Sequence, residues 1–171
     1  SYKRVSSLAA EYKVNHIVFH YTQKGVLPEN KERVKEVSLE NIRTILDIGR
    51  QYGAEIVVEN LPLPPSGMPL YTNEEYMELY QQFPDMPGII DMGHACLTGL
   101  NLEQLLKAEK NRIHAYHFHN NDGKKDCHNG IHNGIIDYSQ FAALFKTYTK
   151  SARHVLEYET NAWDSEDSLQ E

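Results

Sequence analysis

The chain of 171 residues has 17 basic and 24 acidic side chains, a formal net charge of −7, and 40% hydrophobic residues. This is an ordinary globular composition, and no apolar run approaches the roughly 20 residues that cross a bilayer. The acidic balance disfavours nucleic acid as a partner, because binding to a phosphate backbone depends on Lys and Arg. Cys96 and Cys127 are too few for a disulfide framework, so we expect a reducing compartment and a cytoplasmic location.

The chain begins with a predicted helix and a short predicted strand. Within residues 1–13, the apolar side chains of Val5, Leu8 and Tyr12 have helical spacing. The apolar run that follows ends at His20, and its length and β-branched residues predict a strand.

A long amphipathic helix is predicted from about residue 28 to residue 52, and Gly53 fits the position that ends it. A strand at 55–60 follows directly, and the proline-rich segment 61–69 must be a loop. The predicted apolar face of the helix consists of Val34, Val37, Ile42, Ile45, Leu46 and Gly49.

Four further elements are marked by capping residues or apolar runs. Thr72 and Glu75 form a capping box that begins a helix. A strand is predicted at 88–92, and Asn101 can cap a short helix after it. The next strand is rich in histidine and ends at about His119.

The last part of the chain holds a long polar loop, a helix and a strand. The loop at 120–134 is rich in Gly, Asn and Asp, and Asp137 caps the helix that follows. The last clear strand is predicted at 154–159. The polar segment 161–171 is compatible with the start of another helix.

Strict alternation of helices and strands with short connections predicts a parallel sheet in one α/β domain over residues 1–171. A closed eight-stranded barrel needs about 250 residues. We therefore expect an incomplete (β/α) TIM barrel with about five to six of eight strands, apparently lacking the first two. A smaller open α/β sheet is the alternative.

Five of the apolar runs end in residues that can bind a metal or move a proton. Parallel strands would bring these ends together at the edge where barrels place their chemistry. Carboxylates and imidazoles suit a divalent Mn, Mg, Co or Zn ion. The residues are His20, Glu59, Asp91 with His94 close behind, His117 with His119, and Glu157 with Glu159.

Two of these strand ends offer a pair of candidates each, because alternate side chains of a strand point the same way. His117 and His119 share a face, as do Glu157 and Glu159. We prefer His117 and Glu157 as metal ligands. His119 remains the competing ligand, or a neighbour that orients one.

Several motifs in this order resemble the xylose isomerase-like TIM barrels, which include sugar (phosphate) isomerases and epimerases and, more distantly, endonuclease IV. The segment 126–138 is similar to that family's loop of the form D-x-H-x-x-x-G-x-G-x-I-D-Y/F, although His132 and Asn133 replace its usual glycine and glutamate. The other motifs are Val58-Glu59-Asn60, Asp91-Met92-Gly93-His94, His117-Phe118-His119-Asn120-Asn121-Asp122-Gly123 and Val155-Leu156-Glu157.

The resemblance implies roles for particular residues and homo-oligomeric assembly. His20 matches a histidine near the family's site, and His94 matches one that contacts substrate in the sugar enzymes and metal in the nuclease. We assign both, with His119, to substrate binding. Asp126 and His128 match residues that hold an additional metal ion in the nuclease. The four metal-ligand positions are occupied by Glu59, Asp91, His117 and Glu157.

The expected function is isomerisation or epimerisation of a sugar, sugar phosphate or polyol. Proton transfer between adjacent carbons passes through an enediolate, whose charge a divalent metal stabilises. Glu59 and Glu157 lie on non-adjacent predicted strands and could act as the acid and base on either side of the substrate.

Two other functions remain open. One is an endonuclease IV-like zinc phosphodiesterase acting on abasic DNA, with which Asp91, His94, Asp126 and His128 are compatible; the acidic charge argues against it. The other is a non-catalytic barrel remnant that binds a ligand. A small-molecule sugar, without nucleic acid or membrane, is the expected partner.

Overall fold

The computed structural model describes residues 2–159, and the predicted tail element at 161–171 lies outside them. Within this part of the chain the five strands follow one another in the sheet in the order β1-β2-β3-β4-β5. The elements are α1 (Tyr2–Glu11), β1 (Ile17–Phe19), α2 (Lys31–Tyr52), β2 (Ile56–Glu59), α3 (Asn73–Gln82), β3 (Gly88–Asp91), α4 (Met92–Thr98), α5 (Leu102–Glu109), β4 (Ile113–Phe118), a 3₁₀-helix (Tyr138–Phe141), α6 (Ala142–Tyr148) and β5 (Arg153–Leu156).

The chain forms two compact units: an N-terminal unit, which is the chain up to residue 59 with residues 63–88, and a C-terminal unit, which is residues 60–62 with the chain from 89 onward. In the N-terminal unit β1 and β2 pair in parallel, from Ile17 opposite Ile56 to Phe19 opposite Val58. All four residues of β2 are buried, as expected for a parallel strand covered on both faces.

In the C-terminal unit β4 and β5 pair in parallel, from Ala115 opposite Arg153 to Phe118 opposite Leu156. Tyr116 and Phe118 pack against Phe145 of α6, with ring centroids 4.7 and 5.6 Å apart. Helix α6 has no fully buried residue; the core of this unit is formed mainly by β3, β4 and α5, with Ile90, Leu105 and Ala115 fully buried.

Four residues of the predicted apolar face, Ile42, Ile45, Leu46 and Gly49, are buried, and the long helix α2 forms as predicted. Gly53 ends it in the left-handed conformation with φ 67°, which glycine adopts without strain. Val37 was expected on the apolar face, but its side chain is 55% exposed. Ser38 is buried instead, and its hydroxyl donates to the main-chain oxygen of Tyr21 at 3.1 Å.

The apolar stripe of α1 is also exposed. Val5 and Leu8 are 45% and 42% exposed, whereas the small residues Ser6 and Ala9 are buried. Since α1 packs against α2, small side chains on the contacting face allow the two helices to approach closely. Periodicity correctly predicted the helix but did not identify the side that packs.

Several predicted strand limits are wrong by one to three residues; the strand expected at 55–60, for example, is Ile56–Glu59. The strand expected at 88–92 ends at Asp91, because Met92 begins helix α4, which was not predicted. The strand expected at 154–159 ends at Leu156, and its four residues are exposed. Among the helices of the described residues, none combines the length and the apolar character needed to cross a membrane.

Candidate functional site

Asp91 occupies the junction between β3 and α4. Its backbone is extended, and its side-chain Oδ1 accepts a hydrogen bond from the main-chain N–H of His94 at 2.7 Å. A carboxylate in this position satisfies one of the free N–H groups at the start of a helix. The turn from strand to helix therefore holds Asp91 at the carboxyl end of the strand, with its side chain fully buried.

Three predicted metal ligands converge in the C-terminal unit: Asp91, His117 and Glu157. His117 Nδ1 is 2.8 Å from Glu157 Oε2 and 3.9 Å from Asp91 Oδ2. One donor atom from each residue lies within 4.8 Å of the donors of the other two. The main chain supports this arrangement, because Glu157 N–H donates to the carbonyl oxygen of Phe118 at 3.1 Å.

The donor set fits a divalent cation. Asp91 Oδ2 is buried and has no hydrogen-bond partner among the described residues, and an unsatisfied buried carboxylate oxygen is costly. Two carboxylates and one imidazole are ligands that Mn, Zn and Co accept. A cation at this position would satisfy Asp91 Oδ2.

His119 lies beside these residues but makes different contacts. It is fully buried, and its Nε2 is 3.0 Å from Asp91 Oδ1. The absence of a side chain at Gly93 makes room for the ring, since a Cβ there would overlap the imidazole. Full burial and the contact with Asp91 favour the orienting role for His119 over direct contact with substrate.

A second group of possible metal ligands is formed by His94, His119, Asp126 and His128, whose donor atoms all lie within 4.8 Å of one another. Asp126 Oδ2 is 3.1 Å from His94 Nε2 and 3.3 Å from His128 Nε2. The rings of His119 and His128 stack with centroids 3.9 Å apart. The structure thus brings together the residues predicted for an additional metal and two of the histidines assigned to substrate binding.

Asp126 and His128 stabilise each other's charged forms. Burial alone would raise the pKa of Asp126, but hydrogen bonds with His128 and His94 outweigh it and hold this pKa well below its usual range. The hydrogen bond to Asp126 raises the pKa of His128 to about 9, with a further contribution from the main-chain oxygen of Glu157. Asp126 is therefore an ionised carboxylate paired with a protonated His128.

His20 and Glu59 form a pair within the N-terminal unit. His20 Nε2 is 2.6 Å from Glu59 Oε2; the Glu59 side chain is 2% exposed, whereas that of His20 is 48% exposed. Glu59 thus lies at the end of β2 as predicted, and its neighbour in this unit reaches solvent. His20 can therefore contact a molecule that approaches from solution.

Glu157 and Glu159 are separated by their contacts in the structure. The Glu157 side chain reaches His117, while the main-chain N–H of Glu159 donates to the carbonyl oxygen of His128 at 2.9 Å. The geometry favours Glu157 as the ligand candidate.

Asn120 and Asn121, which follow the histidine strand, hold the loop that carries Asp126. The Asn120 side chain bonds the main chain of Ile131 and Ile136, and Asn121 Nδ2 donates to the carbonyl oxygen of Gly93 at 3.0 Å. Both residues belong to the histidine-rich motif, but the sequence predicted no structural role for them. Their position directly after a strand end was the available signal.

The chain belongs to the family described as the xylose isomerase-like TIM barrel, whose model matches residues 1–171. This confirms the resemblance seen in the motifs. A relative, an uncharacterized protein of Methanocaldococcus jannaschii, is 26% identical over 110 residues, which cover 64% of this chain and 42% of that protein.

Solved structures confirm the predicted incomplete barrel. A D-tagatose 3-epimerase-like protein superposes with a TM-score of 0.77 at 20% identity, covering 98% of this chain and 65% of its own. The IOLI protein, solved with a bound zinc atom, gives 0.78 at 20% identity, covering 99% of this chain and 64% of its own. The chain thus spans slightly less than two thirds of the length of these proteins.

Proposed function

We propose that this chain contributes the catalytic face of a divalent-metal-dependent isomerase or epimerase acting on a sugar or a sugar-like substrate. One observation carries the proposal: the donor atoms of Asp91, His117 and Glu157 converge, and Asp91 Oδ2 is buried without a hydrogen-bond partner among the described residues. The sugar epimerase-like relative and the zinc bound by the IOLI protein support the same reading.

Asp91, His117 and Glu157 would hold the metal, and Glu59 is proposed as the fourth ligand. The case for Glu59 rests on its place at the end of β2 and on the matching position in the family's motif. When bound, the metal would stabilise negative charge that develops on the substrate oxygens during proton transfer. The metal is one of Mn, Mg, Co or Zn.

Glu157 is the proposed base that removes a proton from carbon, and Glu59 is the proposed partner that returns it. A carboxylate whose side chain is 44% exposed, as that of Glu157 is, can meet a substrate and exchange protons. Glu59 is buried beside His20, with its Oε2 2.6 Å from the imidazole Nε2. His20 and His94 are proposed to bind substrate oxygens.

Replacing Glu157 with Gln should lower kcat for proton transfer by about 10²- to 10⁴-fold, the usual contribution of a positioned acid or base. Deuterium incorporation from D₂O into a panel of ketohexoses, read by NMR with Mn²⁺-loaded protein, measures this step. Glu159→Gln is the matched control, since it removes the same charge two residues away. Equal activity in the wild type and in Glu157→Gln would contradict the assignment of Glu157 as the base.

A zinc phosphodiesterase acting on abasic DNA is a second candidate, favoured by the group His94, His119, Asp126 and His128. Such a centre would bind more than one metal ion per chain. The net charge of −7 opposes binding to DNA. Cleavage of an abasic duplex by Zn²⁺-loaded protein, lost in Asp126→Asn, would favour this candidate over the isomerase.

A further inference from the structure

Asn60 follows Glu59 in sequence, is 4% exposed, and lies against Asp91 within the C-terminal unit. Its Nδ2 donates to the main-chain oxygen of Asp91 at 2.9 Å, and its Oδ1 accepts from the main-chain N–H of Asp91 at 2.8 Å. One planar amide thus bonds both main-chain groups of the same residue. These two partners also fix the orientation of the amide, because an N–H must face an oxygen and a C=O must face a donor.

The main chain of Asn60 holds a second residue of the site. The carbonyl oxygen of Asn60 is 2.9 Å from Nδ1 of His94, and because a carbonyl oxygen only accepts, this ring nitrogen carries a hydrogen. His94 Nε2 then faces Asp126 Oδ2 at 3.1 Å. The orientation of the His94 ring is therefore set by Asn60 on one side.

The two hydrogen bonds from the Asn60 amide to the Asp91 main chain help to determine where Oδ2 of the Asp91 carboxylate points. Asp91 Oδ1 is occupied by the N–H of His94 at 2.7 Å and by Nε2 of His119 at 3.0 Å. With both main-chain groups and Oδ1 held, the direction of Oδ2 is determined. Oδ2 is the atom that lies toward His117, at 3.9 Å from its Nδ1.

We propose that Asn60 is a positioning residue for the metal centre, which fixes the backbone of Asp91 and the ring of His94. This inference rests on the proposed metal-dependent function. Both bonds to Asp91 need a donor and an acceptor attached to the same side-chain carbon, as in the Asn60 amide. Asp would lose the donor and Ala would lose both groups, whereas Gln would displace the amide by one methylene.

The test compares Asn60→Asp and Asn60→Ala with Thr149→Val in the full chain. Thr149 is a fair control because it is 3% exposed, lies in the same unit and uses its hydroxyl in a buried bond to Tyr116 at 2.6 Å. Co²⁺ is the probe: its visible absorption spectrum reports ligand geometry, and titration gives Kd. The thermal midpoint of each metal-free variant measures the structural cost.

Both Asn60 variants should bind Co²⁺ about 10- to 100-fold more weakly than the wild type, as loss of an outer partner of a metal ligand usually causes. Their Co²⁺ spectra should also change. Thr149→Val should keep the wild-type Kd and spectrum even where it lowers the thermal midpoint as much. Unchanged Kd and spectrum in both Asn60 variants would overturn the inference while leaving the proposed function standing.

A metal-free measurement separates the two ideas further. Hydrogen exchange of the Asp91 amide, followed by NMR, should be at least about tenfold faster in Asn60→Ala than in Thr149→Val at equal global stability. If wild-type protein binds no Co²⁺, the proposed function fails, and faster exchange at Asp91 would still support the positioning role. If the Asp91 amide exchanges no faster in Asn60→Ala than in Thr149→Val, the positioning role of Asn60 is overturned.

Discussion

The contact between Gly93 and His119 shows how one residue without a side chain makes room for another. Gly93 is buried in the first turn of α4, and a Cβ there would overlap the His119 imidazole. His119 has little freedom to move, because it is fully buried, bonds Asp91 and stacks on His128. Glycine at 93 is thus required by packing rather than by an unusual backbone angle.

Gly93→Ala should destabilise the protein by about 1–3 kcal/mol, the usual cost of overpacking a filled interior. This outweighs the roughly 1 kcal/mol that Ala gains over Gly in a helix. Urea unfolding of the single variant, of His119→Ala and of the double variant measures the effect. We expect Gly93→Ala to become neutral or stabilising in the His119→Ala background, and equal costs in both backgrounds would contradict this explanation.

At the scale of elements, the start of α3 depends on a capping box joined to an ion pair. Thr72 and Glu75 bond each other's main chains, and Glu75 also accepts from Lys35 at 2.5 Å and Lys31 at 3.1 Å. Partial burial would raise the pKa of Glu75, but the bonds from Lys35, Thr72 and Lys31 lower it to about 2. The carboxylate therefore links the beginning of α3 to α2 within the N-terminal unit.

Because its pKa is lowered on folding, Glu75 stabilises the protein fully above about pH 4.5, and this contribution is lost as pH falls toward about 2. After allowance for solvent screening we expect about 1 kcal/mol. Glu75→Gln keeps the capping box but removes the charge. Its free energy of unfolding should fall below the wild-type value at pH 7 and converge with it at about pH 2 and below. A pH-independent difference, or an equal loss in the exposed Glu74→Gln control, would count against this.

The sequence predicted those elements whose signal is local. The capping box at Thr72, the Asn101 cap and the Gly53 terminus were expected and are confirmed. Helix α4 was missed, because its N-cap is Asp91, a residue already read as a strand end and a ligand. Because Asp91 serves both as a possible ligand and as the N-cap, the sequence contains no separate capping residue that would predict α4.

Contacts between distant segments were the other limit. Nothing local separates His117 from His119, since the sequence predicts both on one face of the strand; their partners Glu157 and Asp91 come from other parts of the chain. The exposure of Val5 on α1 likewise depends on which side meets α2. The spacing of apolar residues predicts that a helix has an apolar face, but it does not show which neighbouring element packs against that face.

At the scale of the whole molecule, the possible metal ligands at the strand ends are consistent with the family to which the chain belongs. The family model matches the whole chain, and the five strands follow the order expected of a TIM barrel. That residues 1–171 act as a single domain stays a prediction, as do the homo-oligomeric state, the cytoplasmic location and the roles of individual site residues. What we propose from the site geometry is that Asp91, His117 and Glu157 belong to a metal centre.

Elemental analysis of purified, unchelated protein tests this claim most directly. We expect about one Mn, Zn, Co or Mg ion per chain in the wild type and in Glu159→Gln. The Asp91→Asn variant should contain no bound metal ion. About three zinc ions per chain would favour the phosphodiesterase instead. A wild-type protein without metal, whose thermal midpoint does not rise on adding Mn²⁺ or Zn²⁺, would contradict the account and leave ligand binding without catalysis as the better description.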